Sequence, residues 1–313
     1  MARAGGQGLL RVAQVNCGEE GLHISEYKLP LSDKILSVNR NFMRRLFKKM
    51  GALAGVLFAL TLLGLGLFYF NQEKLIFFPE HLDHDFHFAF PTRFQEANID
   101  IGSDTSINYL VFNPDSTKGV ILYFHGNAGS LKDWGWAGAE IAQRTDWAVW
   151  MMDFPGYGKS TGTLPKNEKI LLSMARALRD EISKKHASLP LVLYGRSIGS
   201  AIASALAAEK PATALILETP YRSLAKLGHE IYPFLPESFS RFDLDNERGL
   251  RSVGSMPVLI VHGTSDSVIP FRHGKFLSGI APHTRFIAVE GGDHNNLSQF
   301  PEYWPALKTF LSQ

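Results

Sequence analysis

Acyl transfer needs a serine, a carboxylate and a histidine, and this chain places all three in turns that follow apolar runs. The serine is Ser197, inside Gly195-Arg196-Ser197-Ile198-Gly199. The run Leu191-Val192-Leu193-Tyr194 leads into it, and an alanine-rich stretch from Ile198 to Glu209 leads out. G-x-S-x-G between a strand and a helix is a sharp reversal that holds a hydroxyl above the end of a sheet. Glycines flank the serine because a Cβ there would crowd the reversal or the following helix. The N–H of Ile198, at a helix N-terminus, is placed to stabilise an oxyanion. The pattern alone is common, so the rest of the chain must supply a base, an acid and a second oxyanion donor.

Three histidines end strand-like runs: His125, His262 and His294. His294 follows the last such run, in a glycine-preceded loop able to reach across a sheet edge, and is the expected base. His125 and His262 each precede a glycine at a strand end, where a structural or oxyanion-loop role suits them better. The acid that orients the base is expected at Asp266, after His262-Gly263-Thr264-Ser265, with Glu218 as its rival. Asp293 adjoins His294 in sequence and reads as a loop residue. The second oxyanion donor is expected from His125-Gly126-Asn127-Ala128-Gly129, with the Asn127 N–H as the candidate. Asp153 to Gly158 reads as a tight structural turn beside these loops. Neither glycine-rich loop has phosphate-loop or dinucleotide spacing. His81, His84 and His87 fit no familiar zinc pattern and read as a solvated segment.

The elements that must position these groups follow from hydrophobic periodicity. Asn98–Ile101 and Ile107–Phe112 alternate like half-buried strands and predict an antiparallel start. Gly119–Phe124, Trp147–Met152, Leu191–Tyr194, Ala212–Leu217, Pro257–Val261 and Thr284–Val289 read as strands. Leu131–Arg144, Lys166–His186, Phe271–Ile280 and Phe300–Leu311 read as helices between and after them. Ile170, Met174, Leu178 and Ile182 give the second of these helices one apolar face. Strands alternating with helices predict a mostly parallel sheet covered on both faces. In such a sheet, functional groups collect where strands end in loops at the carboxyl edge. Tyr221 to Arg248 reads as an irregular aromatic insert carrying Tyr232, Phe234, Phe239 and Phe242. An insert there would lie over the site and offer an apolar acyl pocket.

Upstream of residue 96 the chain changes character. Gly51 to Phe70 carries no charge and, as a helix about 30 Å long, is long enough to cross a bilayer. Arg40, Arg44, Arg45, Lys48 and Lys49 precede it, which orients residues 1–50 to the cytoplasm and the rest outside. Phe68-Tyr69-Phe70 is not a small-residue cleavage site, so an uncleaved anchor over 51–70 is expected rather than a signal peptide. Residues 71–95 read as a stalk, and 96–313 as the folded domain with its insert near 220–250. Residues 1–41 show no clear periodicity. They read as disordered or as lying upstream of a true start at Met43. The 313 residues carry a net charge of +2 and one cysteine, Cys17. Such a balance lacks the basic field that nucleic acid requires, and one cysteine excludes an intrachain disulfide.

From about Glu96 onward the chain resembles the α/β-hydrolase superfamily. His125 to Gly129, the serine turn, His262 to Asp266 and Gly291 to His294 carry the resemblance, in the order expected for that scaffold. Stalk and anchor look like its membrane-tethered, single-domain branch, which includes bacterial hydrolases, lipid esterases and protein-depalmitoylating thioesterases. The chain departs from the last group in having a membrane helix in place of a cysteine-rich N-terminus. The resemblance implies an α/β fold with a short cap. It also implies a serine hydrolase acting through an acyl-enzyme on Ser197, with Asp266 and His294 completing the triad and Asn127 and Ile198 forming the oxyanion hole. Neither metal nor organic cofactor is called for. The expected partners are a small-molecule ester, lipid or acyl substrate and a membrane crossed once, with the domain outside, most simply in a bacterial periplasm. Oligomeric state is left open. A serine peptidase on the same fold and a catalytically silent tethered binding protein are the competing readings.

Overall fold

The structure is a computed structural model that describes residues 9–18, 21–30, 33–102, 104–210 and 212–313, with side chains from Arg40 onward. The expectation of a disordered start falls partly on residues 1–8, 19, 20, 31 and 32, which lie outside the described residues. Where its backbone is described, regular structure replaces the expected disorder. Strand β1 (Leu9–Gly18) pairs antiparallel with β2 (Gly21–Pro30), Gly18 standing opposite Gly21. The signal lies in the alternation Leu22-His23-Ile24-Ser25 and in two glycines bracketing a two-residue connection. Helix α1 (Asp33–Phe70) follows, and its Arg40–Phe70 portion is long and apolar enough to cross a membrane. The chain divides after Phe68 into two compact units.

The second unit begins at Tyr69. Its elements in order are α2 (Gln72–Ile76), β3 (Phe94–Asp100), β4 (Ser106–Phe112), β5 (Val120–Phe124), α3 (Leu131–Thr145), β6 (Ala148–Met152) and α4 (Glu168–Lys185). Then come β7 (Leu191–Arg196), α5 (Ile198–Glu209), β8 (Ala214–Glu218), α6 (Leu224–Ile231), α7 (Asn246–Ser252), β9 (Val258–Gly263), α8 (Arg272–Leu277), β10 (Thr284–Val289) and α9 (Tyr303–Leu311). Strands β3 to β10 form one sheet in the order β10-β9-β8-β7-β5-β6-β4-β3. β5 to β10 are parallel, while β4 and β3 join antiparallel at one edge. Every residue of β5, β6 and β8 is buried, as strands covered by helices on both faces must be. Leu171, Met174, Leu178 and Ile182 of α4 pack with Ile202 and Leu206 of α5 in the core on one face. Ile141 of α3 and Leu307 and Phe310 of α9 belong to the core on the other.

Two expectations need correction. Residues 71–95 are not a stalk outside the domain. Phe77 is buried in the core, Glu80 N–H donates to the Gly129 carbonyl (3.0 Å), and Leu82 N–H donates to the Gly158 carbonyl (2.9 Å). Gly129 and Gly158 return bonds to Phe78 and Glu80 (3.1 and 2.7 Å). The segment from Phe78 to Leu82 therefore lies along the two glycine loops, whose open backbone groups need partners. The insert is also more regular than expected, containing α6 and α7. Ser223 and Asp245 cap them through hydrogen bonds to Lys226 and Arg248 N–H.

Candidate active site

The serine turn is built by a backbone reversal at the end of β7. Ser197 has φ 54° and ψ −121°, a conformation costing on the order of 1–3 kcal/mol for a non-glycine residue. Surrounding bonds hold it there: Ser197 N–H donates to the Glu218 carbonyl (2.9 Å), and the Ser200 N–H and hydroxyl donate to the Ser197 carbonyl (3.0 and 2.6 Å). A Cβ on Gly195 would lie 2.5 Å from the Ser200 Cα, and one on Gly199 would lie 2.6 Å from the His125 carbonyl oxygen. Both are backbone collisions, so the two glycines are a steric requirement of the turn.

Strand order brings the other loops to the serine. β5 pairs directly with β7, Phe124 opposite Gly195, so the loop after β5 emerges beside Ser197. The loops after β9 and β10 are stitched to each other: Ser265 N–H donates to the Gly292 carbonyl (3.0 Å), and Ser267 donates its N–H and hydroxyl to Asp293 Oδ1 (2.8 and 2.9 Å). Asp293 thus ties two loops together. The stitched pair places His294 between the serine and Asp266. His294 Nδ1–H donates to Asp266 Oδ2 at 2.8 Å, and His294 Nε2 lies 3.1 Å from Ser197 Oγ. This tautomer leaves the Nε2 lone pair facing the hydroxyl.

Asp266 is fully buried but remains ionised. Burial alone would raise its pKa; hydrogen bonds from His262 and His294, with the Ile269 N–H, outweigh it and hold the carboxyl below the usual range. Its Oδ1 accepts from Val268 and Ile269 N–H (2.9 and 2.7 Å). His262 Nε2 sits 3.3 Å from Asp266 Oδ2 and 2.9 Å from the Ile269 carbonyl. His262 therefore holds the Asp266 carboxylate from behind, nearer to it than its place before a glycine suggested.

Glu218, the rival acid, is committed elsewhere. Tyr194 and Tyr303 hydroxyls donate to it, the latter at 2.8 Å, and Arg196 Nε lies 3.3 Å away. Arg196 occupies a variable position of the serine turn, which the motif itself leaves unassigned. Its guanidinium also donates to the His294 carbonyl (2.9 Å) and Asn295 Oδ1 (3.0 Å), and lies over the Trp134 ring at 5.1 Å. Trp134 Nε1–H in turn holds the Ala128 carbonyl at 2.8 Å. One cation thus links β7, β8, the histidine loop and the loop after β5. The sequence signal was an arginine at a strand end where most side chains are apolar.

Asn127 lies in that loop beside Ser197. Its side chain donates to the Ile76 carbonyl and accepts from Phe78 N–H (3.2 Å) and Tyr157 O–H (2.8 Å). Among the described residues, neither the Asn127 nor the Ile198 backbone N–H donates to a protein acceptor. His125 is fully buried, its Nδ1–H donating to the Gly126 carbonyl at 2.7 Å and its Nε2 3.7 Å from Asp153. Burial pushes His125 down to about 4, so its ring is neutral at neutral pH, and the same burial pushes the Asp153 carboxyl upward. Phe242 of the insert packs on Phe77 (5.5 Å) and Phe239 on Tyr69 (5.2 Å), whereas Tyr232 and Phe234 face outward. Among the described residues, no three or more His, Cys, Asp or Glu side chains are grouped to hold a metal ion.

Residues 119–235 match the alpha/beta hydrolase fold family. The alpha/beta hydrolase domain-containing protein 17B of Xenopus laevis is 30% identical over 201 residues, 63% of this chain and 68% of that one. The chain belongs to the α/β-hydrolase superfamily. Protein bem46 of Schizosaccharomyces pombe is 26% identical over 273 residues, 82% of this hydrolase and 90% of that protein. An esterase from Pyrococcus furiosus shares the fold, with TM-score 0.61 and 17% identity over 76% of this chain and 97% of that one.

Proposed function

We propose that this protein is a membrane-anchored serine hydrolase that cleaves a carboxylic ester or thioester of an acyl or lipid substrate. The observation that carries this reading is the relay Ser197 Oγ to His294 Nε2 (3.1 Å) and His294 Nδ1 to Asp266 Oδ2 (2.8 Å). Ser197 Oγ attacks the acyl carbonyl as its proton passes to His294 Nε2, and ionised Asp266 offsets the imidazolium charge. The Ile198 and Asn127 N–H groups, free of protein acceptors, donate to the oxyanion of the tetrahedral intermediate. His294 then protonates the leaving alcohol or thiol, giving an ester on Ser197. Water, deprotonated by His294, repeats the sequence and releases the acid. The apolar Arg40–Phe70 helix supports the anchor, and the basic residues before its apolar core support a cytoplasmic N-terminus with the domain outside.

The test is hydrolysis of p-nitrophenyl esters of increasing acyl length by the full chain in detergent. Ser197→Ala and His294→Ala should each abolish turnover above background. A Ser197→Ala protein that retains wild-type turnover would refute the reading.

A further inference from the structure

The insert between β8 and β9 is fastened to the point where the chain leaves its apolar helix. Gln72, buried, donates from Nε2 to the Phe239 carbonyl (2.7 Å) and accepts at Oε1 from Arg241 N–H (2.9 Å). The Arg241 guanidinium donates to the Tyr69 and Phe70 carbonyls (3.4 and 3.2 Å) and lies 3.6 Å from Glu73. Those carbonyls end α1, where a cation meets both unsatisfied oxygens and the negative end of the helix dipole. The Phe239 ring packs on Tyr69 at 5.2 Å. Gln72 follows Phe70 by two residues, at most about 7 Å of chain. Residues 239–241 are therefore held at the level where the apolar run stops and Asn71-Gln72-Glu73-Lys74 begins.

The tip of the same insert carries large apolar side chains that face outward. Phe234 is 75% exposed and Ile231 57%, with Tyr232 beside them, its ring 6.1 Å from that of Phe234. Phe239 is five positions after Phe234, at most about 17 Å of chain. A turn from Tyr232 to Leu235 (2.9 Å) and a His229 bond to the Leu235 carbonyl (2.6 Å) shape the tip locally. A soluble surface rarely gathers such side chains unless something apolar meets them. Ring-bearing residues next to a span favour the bilayer interface, where one end is apolar and the other wet. Phe70, Leu75 and Phe78, exposed on the adjoining chain, extend the apolar character along the exit.

We propose that Ile231, Tyr232 and Phe234 sit in the interface of the bilayer that the apolar helix spans, so that the domain meets its acyl substrate at the lipid surface. The occupant is lipid because the insert is fixed to residues 69–73, which leave the span itself. A protein partner would have to reach this tip within the headgroup layer. The substrate half of the proposal rests on the serine-hydrolase reading; the docking half does not.

The experiment uses the full chain in phosphatidylcholine vesicles, with Cys17 replaced by serine and an environment-sensitive fluorophore on Phe234→Cys. Lys308→Cys, exposed on α9 over the other face of the sheet, is the control. The expected result is blue-shifted emission at 234, quenched by shallow nitroxide lipids, with neither effect at 308. Emission at 234 as aqueous as at 308 would overturn the proposal. So would a blue shift without lipid quenching, which would point to protein contact. In a second arm, Phe234→Asp should lower turnover of a long-acyl ester held in vesicles by about tenfold, the factor expected from losing burial of one large apolar side chain. Turnover of soluble p-nitrophenyl acetate should not change, which also shows that the variant is folded. Equal loss on both esters would overturn the substrate half. A wild type inactive on both would fail the serine-hydrolase reading, while the fluorescence still decides the docking.

Discussion

Arg196→Met removes the cation that joins Glu218 to the histidine loop while keeping a side chain of similar length. The Arg196 and Glu218 side chains are 14% and 4% exposed, with Nε 3.3 Å from Oε1. Burial works against the arginine's charge, but Glu218 more than restores it. Removing one partner of a buried pair costs about 3–5 kcal/mol, because the other charge is left in low dielectric. Tyr194 and Tyr303 still donate to Glu218, so the low end, about 3 kcal/mol, is expected. The assay is urea denaturation of the full chain in mild detergent, followed by tryptophan fluorescence. Adding Glu218→Gln removes the stranded charge, so the double variant should recover about 2 kcal/mol relative to simple additivity. Turnover should not recover with it, since the bonds to the His294 carbonyl and Asn295 stay broken. A single variant within about 1 kcal/mol of wild type, or a coupling energy near zero, would refute the reasoning.

Other outcomes follow from the same contacts. Gly199→Ala should destabilise the domain by about 3 kcal/mol, read as a lower denaturation midpoint, because its Cβ meets backbone that cannot swing aside. Asp266→Asn should lower kcat by about 10^4-fold with secondary structure intact, since an amide no longer fixes the His294 tautomer; circular dichroism and ester turnover check it. His125 is held at about 4 against 6.5 for an ordinary histidine, so between those values the unfolded chain binds a proton that the folded chain does not. Stability should therefore fall as pH drops from about 6.5 to 4, by up to about 3 kcal/mol from this group. Denaturation of His125→Gln should show a shallower slope across that window.

The parallel sheet was legible because its central strands are continuous apolar runs ending in glycine-rich turns. Ser197, Asp266 and His294 stood out because each follows such a run, and the structure brings them within hydrogen-bond reach of one another. Which of Asp266 and Glu218 faces His294 depends on which loops are stitched together, a long-range matter that local pattern carries weakly. The role of Arg196 depends on Glu218 and His294, distant in sequence, and could not be read from spacing; His262 meets Asp266 and Ile269, four and seven residues on, through a folding back of the loop that no periodicity signals. Residues 71–95 looked like a stalk because Leu75 to Phe78 is apolar without a helical or strand period. The chain from Phe78 to Leu82 instead lies against the Gly129 and Gly158 loops, and the side chains of the apolar run divide between core and surface. The aromatic insert misled in a similar way: Phe242 belongs to the core, Phe239 to the chain exit, and Phe234 to the surface.

The most direct measurement is reaction of the full-length protein with a fluorophosphonate, followed by mass spectrometry of the peptide spanning residue 197. The account predicts a phosphonyl adduct on Ser197 in wild type, none in Ser197→Ala, and much slower labelling in His294→Ala. Folded wild-type protein that stays unlabelled, or that carries the adduct on another residue, would contradict it.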